Sequence, residues 1–199
     1  MNNVTADACS PTPAAAAPAS AIWLARHARP LIKAGVCYGQ LDVAADQDAT
    51  IASARSLADA LPIATRIVCS PLQRCELLAH TVLGFRPDLS YKTDARLMEM
   101  HFGAWEGRLW SEIGRPAIDA WITDFADHRP GGGESAQAVL RRVASLWDEG
   151  CTAGDWLWIT HAGVVRAATL LRAGIRRVDQ ASQWPVSSLG LGAWAVWRD

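Results

Sequence analysis

Five side chains carry most of the reactive chemistry in this sequence. Arg26 and His27 are adjacent and close an apolar run, His161 closes another, Arg74 stands four residues after Ser70, and Glu99 sits between Met98 and Met100. Guanidinium forks match the oxygens of a phosphoryl group in pairs. A neutral imidazole can attack phosphorus and give a phosphohistidine that water later hydrolyses. The leaving alkoxide then needs a proton, which a shielded carboxylic acid can supply. A crowd of cations would hold a carboxylate ionised, so that acid must be partly screened or drawn to the charge of the substrate. Glu99 has such an apolar setting. Two histidines and two arginines therefore read as a phosphate-ester site in which an imidazole attacks phosphorus, and Glu99 reads either as the shielded acid or as an ordinary edge-strand glutamate.

Positioning these groups requires strands that end together. AIWLAR (21–26), RIVCS (66–70) and DWLWIT (155–160) are short apolar runs that read as buried strands. QDATIASARSLADAL (47–61) places Ile51, Ala54, Leu57, Ala58 and Leu61 on one helical stripe. Ser70-Pro71-Leu72-Gln73 reads as a helix start, with serine as N-cap, proline at the first position and Gln73 completing a capping box. Arg74 then lies in the first turn, where a cation costs about 0.3–1 kcal/mol unless an anion shares the helix end. Either an anion binds there or the arginine leans into solvent. LSYKTD and RLMEM read as short extended pieces. Residues 103–133 read as a helical insertion ending in a glycine-rich hinge, HRPGGGES, which could carry a lid. ESAQAVLRRVASLWDEG, with a stop at Gly150, and AGVVRAATLLRAG read as helices, and SSLGLGAWAVW (187–197) as a terminal strand. Alternating strands and helices predict an α/β fold: a three-layer α/β/α sandwich around a mostly parallel sheet, with helices on both faces. Ligands bind outside the carboxyl ends of such strands, where His27, Arg74 and His161 would all emerge.

The bulk composition narrows the function. The 199 residues carry a formal charge of −1 with no basic run, which argues against a nucleic-acid partner. No segment reaches the roughly 18 to 20 apolar residues needed to span a bilayer. Ten tryptophans predict a large buried aromatic area. Five cysteines at irregular spacing, without a CxxC pair, read as reduced thiols of a cytoplasmic protein. Residues 1–20 are rich in Ala, Pro, Ser and Thr, lack the marks of a secretory signal and read as a disordered tail ahead of a domain over 21–199.

Four motifs in order carry a family resemblance. LARHARP resembles the Arg-His-Gly signature of the histidine phosphatase superfamily, also called phosphoglycerate-mutase-like. SPLQRCELLAHT resembles its second motif, LMEMHFGAWEG its Glu-x-x-Phe-Gly-x-Trp-Glu-Gly segment, and ITHAGVVRA its second histidine motif. The resemblance covers roughly residues 21 to 197. It implies phosphate transfer to His27, a pocket completed by Arg26, Arg74 and His161, proton donation by Glu99, and no metal or organic cofactor. Within the family, GVCYGQLDV and PGGGES are most similar to bacterial α-ribazole-5′-phosphate phosphatases, which act in cobalamin assembly. Cys37-Tyr38-Gly39-Gln40 reads either as a substrate mouth, with Tyr38 and Gly39 in contact with substrate, or as a turn around a packed tyrosine. Ala28 replaces the usual glycine and is strained only if φ is positive there. Arg29-Pro30 replaces an accessory polar residue, so Arg29 either substitutes for that contact or lies in solvent. His101 would share the face of Glu99 on a strand, whereas His80 and His128 read as structural or solvated.

The leading reading is a phosphomonoesterase acting on a small phosphorylated substrate. A mutase returning the phosphoryl group to its substrate is one alternative, disfavoured by the short chain. A catalytically silent phosphate-binding module is the other, disfavoured by both histidines and Glu99.

Overall fold

The computed structural model describes residues 21–150 and 154–198, so the expected tail over 1–20 lies outside it. Five strands, β1 (Ala21–Arg26), β2 (Arg66–Cys69), β3 (Tyr91–Thr93), β4 (Trp156–Thr160) and β5 (Trp194–Arg198), form one sheet in the order β3-β2-β4-β1-β5. All neighbouring pairs are parallel except β1 with β5. The three apolar runs of the sequence are thus adjacent central strands, buried on both faces as parallel strands require.

Alternation along each strand divides the core in two. Trp23, Ala25, Ile67, Cys69, Leu157 and Ile159 face helices α1 (Gln47–Ala60) and α2 (Gln73–Phe85). Leu24, Val68 and Trp158 face α5 (Ala136–Gly150) and α6 (Ala162–Arg172). The result is a three-layer α/β/α sandwich. Trp158, 1% exposed, Trp23 and Trp105 are buried, but most other described tryptophans are half-buried and Trp110 is 37% exposed. The indoles therefore cover core edges more than they fill its centre.

Two local readings need correction. In α1 the inward stripe includes Thr50 and Ser53, whereas Ile51 is exposed. Their hydroxyls are satisfied at short range, Thr50 donating to the Asp46 carbonyl at 2.7 Å and Ser53 to that of Gly192 at 2.7 Å, so burying them costs little. Ser70 does not cap α2. The helix begins at Gln73, whose backbone N–H donates to Asp42 Oδ1 at 2.9 Å, while the Ser70 hydroxyl accepts from Leu72 N–H at 3.4 Å ahead of the helix and lies 2.8 Å from His161 Nε2. A carboxylate from 31 residues upstream does the capping, which no local pattern discloses.

Between β3 and α5 the chain makes 3-10 turns at Ala95–Leu97 and Gly103–Trp105, two short helices, α3 (Trp110–Ile113) and α4 (Arg115–Thr123), and a turn at Pro130–Gly132. The piece RLMEM is a turn followed by irregular chain, not a strand. The triple glycine is not a free joint. A side chain on Gly131 or Gly133 would overlap the backbone of Phe102 or His101, so these residues let two chain segments cross in contact. Among the described residues no helix is long and apolar enough to cross a membrane.

Candidate active site

The strand ends bring the site together. Arg26 pairs with Thr160 across β1 and β4, and Cys69 with Ile159 across β2 and β4, so the three carboxyl ends are nearly flush. Pairing continues one residue further, His27 N–H donating to the Thr160 carbonyl at 3.2 Å and Ser70 N–H to that of Ile159 at 2.9 Å. His27 and His161 consequently face each other with ring centroids 5.1 Å apart. Both are buried, His27 being 1% and His161 0% exposed.

His27 Nδ1 donates to the Ala28 carbonyl at 2.7 Å, which fixes the proton on that nitrogen and leaves the Nε2 lone pair free. Burial lowers the His27 pKa to about 3 against the pull of the Ala28 bond, with Arg74 and Arg26 lowering it further. Burial also takes His161 well below its ordinary value, helped by Arg74, His27, Arg142 and Arg26. Both guanidiniums are therefore close enough to bear on both rings. Ala28 does not lie at positive φ, so its methyl group introduces no strain.

Arg74 resolves the question left at the helix start. It is fully buried, donating to the carbonyls of Gly39 at 2.6 Å and Leu41 at 3.0 Å, and its guanidinium lies 5.3 Å from the Tyr38 ring centroid. Gly39, with φ of +22°, has no room for a side chain against Glu106 and the Met100 carbonyl. Tyr38 and Gly39 thus hold Arg74 in place. Arg26 donates to the Leu189 carbonyl at 2.8 Å. The Nε atoms of Arg26 and Arg74 are both buried without a hydrogen-bond partner. Two unanswered guanidinium donors beside two neutral imidazoles make a receptor for an oxyanion.

Glu99 enters from the loop after the Ala95–Leu97 turn. Its carboxylate accepts from Met100 N–H at 2.9 Å and from Gly163 N–H at 3.1 Å, in the first turn of α6. A side chain on Gly163 would overlap that carboxylate and force it to move. Arg29 lies in solvent, paired with Asp46 at 2.5 Å. His101 is also largely exposed, 4.0 Å from Glu106, and His80 bonds the Tyr91 hydroxyl at 2.9 Å. Among the described residues no cluster of three or more His, Cys, Asp or Glu has the arrangement of a metal site.

The sequence profile of the histidine phosphatase superfamily (branch 1) matches residues 22–189. The chain belongs to that superfamily. Among curated relatives, the adenosylcobalamin/alpha-ribazole phosphatase of Salmonella typhimurium is 30% identical over 171 residues, covering 82% of this chain and 83% of the relative. A solved protein from Thermus thermophilus is 31% identical with a TM-score of 0.66, covering 88% and 92% of the two chains. A mycobacterial glucosyl-3-phosphoglycerate phosphatase, solved in complex with VO3, is 25% identical with a TM-score of 0.73, covering 88% and 90%.

Around the site of this histidine phosphatase, Ser70, Cys75 and Arg142 make contacts that its motifs do not disclose. The Ser70 hydroxyl lies 2.8 Å from His161 Nε2, and Cys75 Sγ lies 3.4 Å from the same nitrogen. Burial pushes the Cys75 thiol well up, so it stays protonated. Arg142 ties the Glu99 loop together, donating to the carbonyls of Arg96 at 2.7 Å and Glu99 at 3.1 Å and pairing with Glu134 at 2.8 Å. In the sequence Arg141-Arg142 has the look of a solvated helix face, and only the neighbouring Glu134-Ser135 hints at a bonded partner.

Proposed function

We propose that this phosphatase hydrolyses a small phosphate monoester through a phosphohistidine on His27. The observation that carries the reading is the pair of buried guanidinium Nε donors without partners, on Arg26 and Arg74, beside an imidazole whose Nδ1 is already committed. His27 Nε2 attacks phosphorus, the ester P–O bond breaks, and Glu99 gives its proton to the leaving oxygen. Water then attacks the phosphohistidine, the P–N bond breaks, and the Glu99 carboxylate takes up the proton. His161 and the guanidiniums stabilise the charge on the equatorial oxygens throughout.

For the substrate we propose α-ribazole 5′-phosphate. The Salmonella relative supports this by name, as do GVCYGQLDV and PGGGES. The three described cysteines are unpaired thiols, which fits a cytoplasmic setting. The test is a screen of small phosphomonoesters that includes α-ribazole 5′-phosphate, with phosphate release and acid-labile phosphoprotein measured together. The highest kcat/KM should fall on α-ribazole 5′-phosphate, and His27→Ala should abolish both turnover and labelling. Transfer to a second substrate hydroxyl without release would identify a mutase. A rate no higher than that of His27→Ala would identify a silent binding module.

A further inference from the structure

A cavity of about 160 Å³ adjoins Glu99, the proposed proton donor. Glu99 and Gly163 line it, and four aromatic rings from three chain segments form much of its wall. Trp121 and Phe125 are stacked with centroids 5.8 Å apart, Phe125 meets Trp184 at 5.9 Å, and Phe102 meets Trp121 at 5.8 Å. Arg166, one turn along α6 from Gly163, completes the lining. Two of these residues carry buried donors without a partner, Trp121 Nε1 and Arg166 Nε.

From these features we infer that the cavity binds a planar heteroaromatic ring on the alcohol part of the ester, with Trp121, Phe125, Trp184 and Arg166 as its specificity-determining residues. The inference rests on the phosphatase reading above, because Glu99 is what joins the cavity to the departing oxygen. A ring lying against these walls uses the faces and edges of aromatic neighbours, which is worth more than the same area of aliphatic contact. The Arg166 guanidinium supplies a cation for stacking on a ring face. The two unanswered donors call for an acceptor, which a ring nitrogen or an adjoining sugar oxygen provides and a plain hydrocarbon ring does not. Size sets a limit as well. Ligand sites that enclose a whole drug-sized molecule start near about 300 Å³, so this one has room for a single ring system. The remainder of the ester must lie between it and the histidines.

The test uses the full chain and compares benzimidazole riboside 5′-phosphate with ribose 5-phosphate, which lacks the ring. In the unmodified enzyme kcat/KM should favour the heteroaryl ester by about 100-fold. Trp184→Ala should lower that ratio by about ten-fold or more, as loss of one stacking partner predicts, and Trp184→Phe should retain most of it. Binding of the free riboside, followed by quenching of tryptophan fluorescence in the unmodified protein, should saturate and compete with substrate. A preference within about three-fold in the unmodified enzyme, or a ratio untouched by Trp184→Ala, would overturn the ring site while leaving the phosphatase reading in place. Inertness toward both esters and toward p-nitrophenyl phosphate would instead overturn the phosphatase reading, and the ring site with it.

Discussion

His27 has one nitrogen committed to a backbone carbonyl and one free, so its tautomer is set by the fold before any substrate arrives. Because the ring stays neutral down to about pH 3, His27 needs no deprotonation at neutral pH to act as the nucleophile proposed above. Proton NMR of the five imidazoles should therefore show two, His27 and His161, with no inflection between pH 5 and 8; an inflection near 6.5 from His27 would contradict the burial argument. Glu99→Gln should slow poor leaving groups most, and equal slowing of good and poor ones would remove Glu99 from the acid role. Gly163→Ala reaches the same carboxylate from the other side. Its methyl group must displace Glu99, and misplacing a catalytic group by about 1 Å costs on the order of 100-fold in rate, so kcat should fall that far while unfolding by urea stays near normal. The convergence of His27, Arg74 and His161 was legible in sequence because each follows an apolar run. Ser70 and Cys75 were not, since their contact with His161 spans 91 and 86 residues.

The loop that carries Glu99 has little regular structure, so its position depends on side chains reaching in from elsewhere. Arg142 of α5 binds the carbonyls of Arg96 and Glu99, Gln40 donates to the Glu99 carbonyl at 3.0 Å, and Thr160 at the end of β4 donates to that of Leu97 at 2.7 Å. Arg142→Met should leave Glu134 half-buried without its ion pair, costing roughly 1–3 kcal/mol in urea unfolding, and should lower kcat through Glu99. An unchanged kcat with lowered stability would confine Arg142 to the fold. Hydrophobic periodicity located α1, α5 and α6 within a few residues, whereas the capping rule chose the wrong cap for α2. Both failed for the stretch from 95 to 133, where short turns are held by contacts far apart in sequence and glycines serve close backbone crossing more than bending.

Folding the whole chain buries two imidazoles in neutral form, and this ties stability to pH with a definite sign. Above about 6.5, the unfolded value for histidine, both states are neutral and stability is flat. Between 6.5 and about 3 the unfolded chain binds a proton that folded His27 refuses, so stability falls as pH falls, by about 1.4 kcal/mol per pH unit at full effect. His161 acts in the same direction. Carboxylates held low by arginines, such as Asp94 and Glu149, add their loss only at more acid pH. The urea midpoint should therefore drop between pH 6.5 and 5, and His27→Ala should flatten that slope; a pH-independent midpoint would contradict the shift. A different consequence follows from how the first strand is finished. Arg26 N–H donates to the Ala193 carbonyl and its side chain to that of Leu189, while Gly192 N–H donates to the His27 carbonyl. All five proposed site residues have been synthesised once residue 161 is in place, yet Arg26 and His27 gain these anchors only from a stretch made almost thirty residues later. A growing polypeptide thus holds the proposed set of reagents before it holds the contacts from residues 189–193 that aim them.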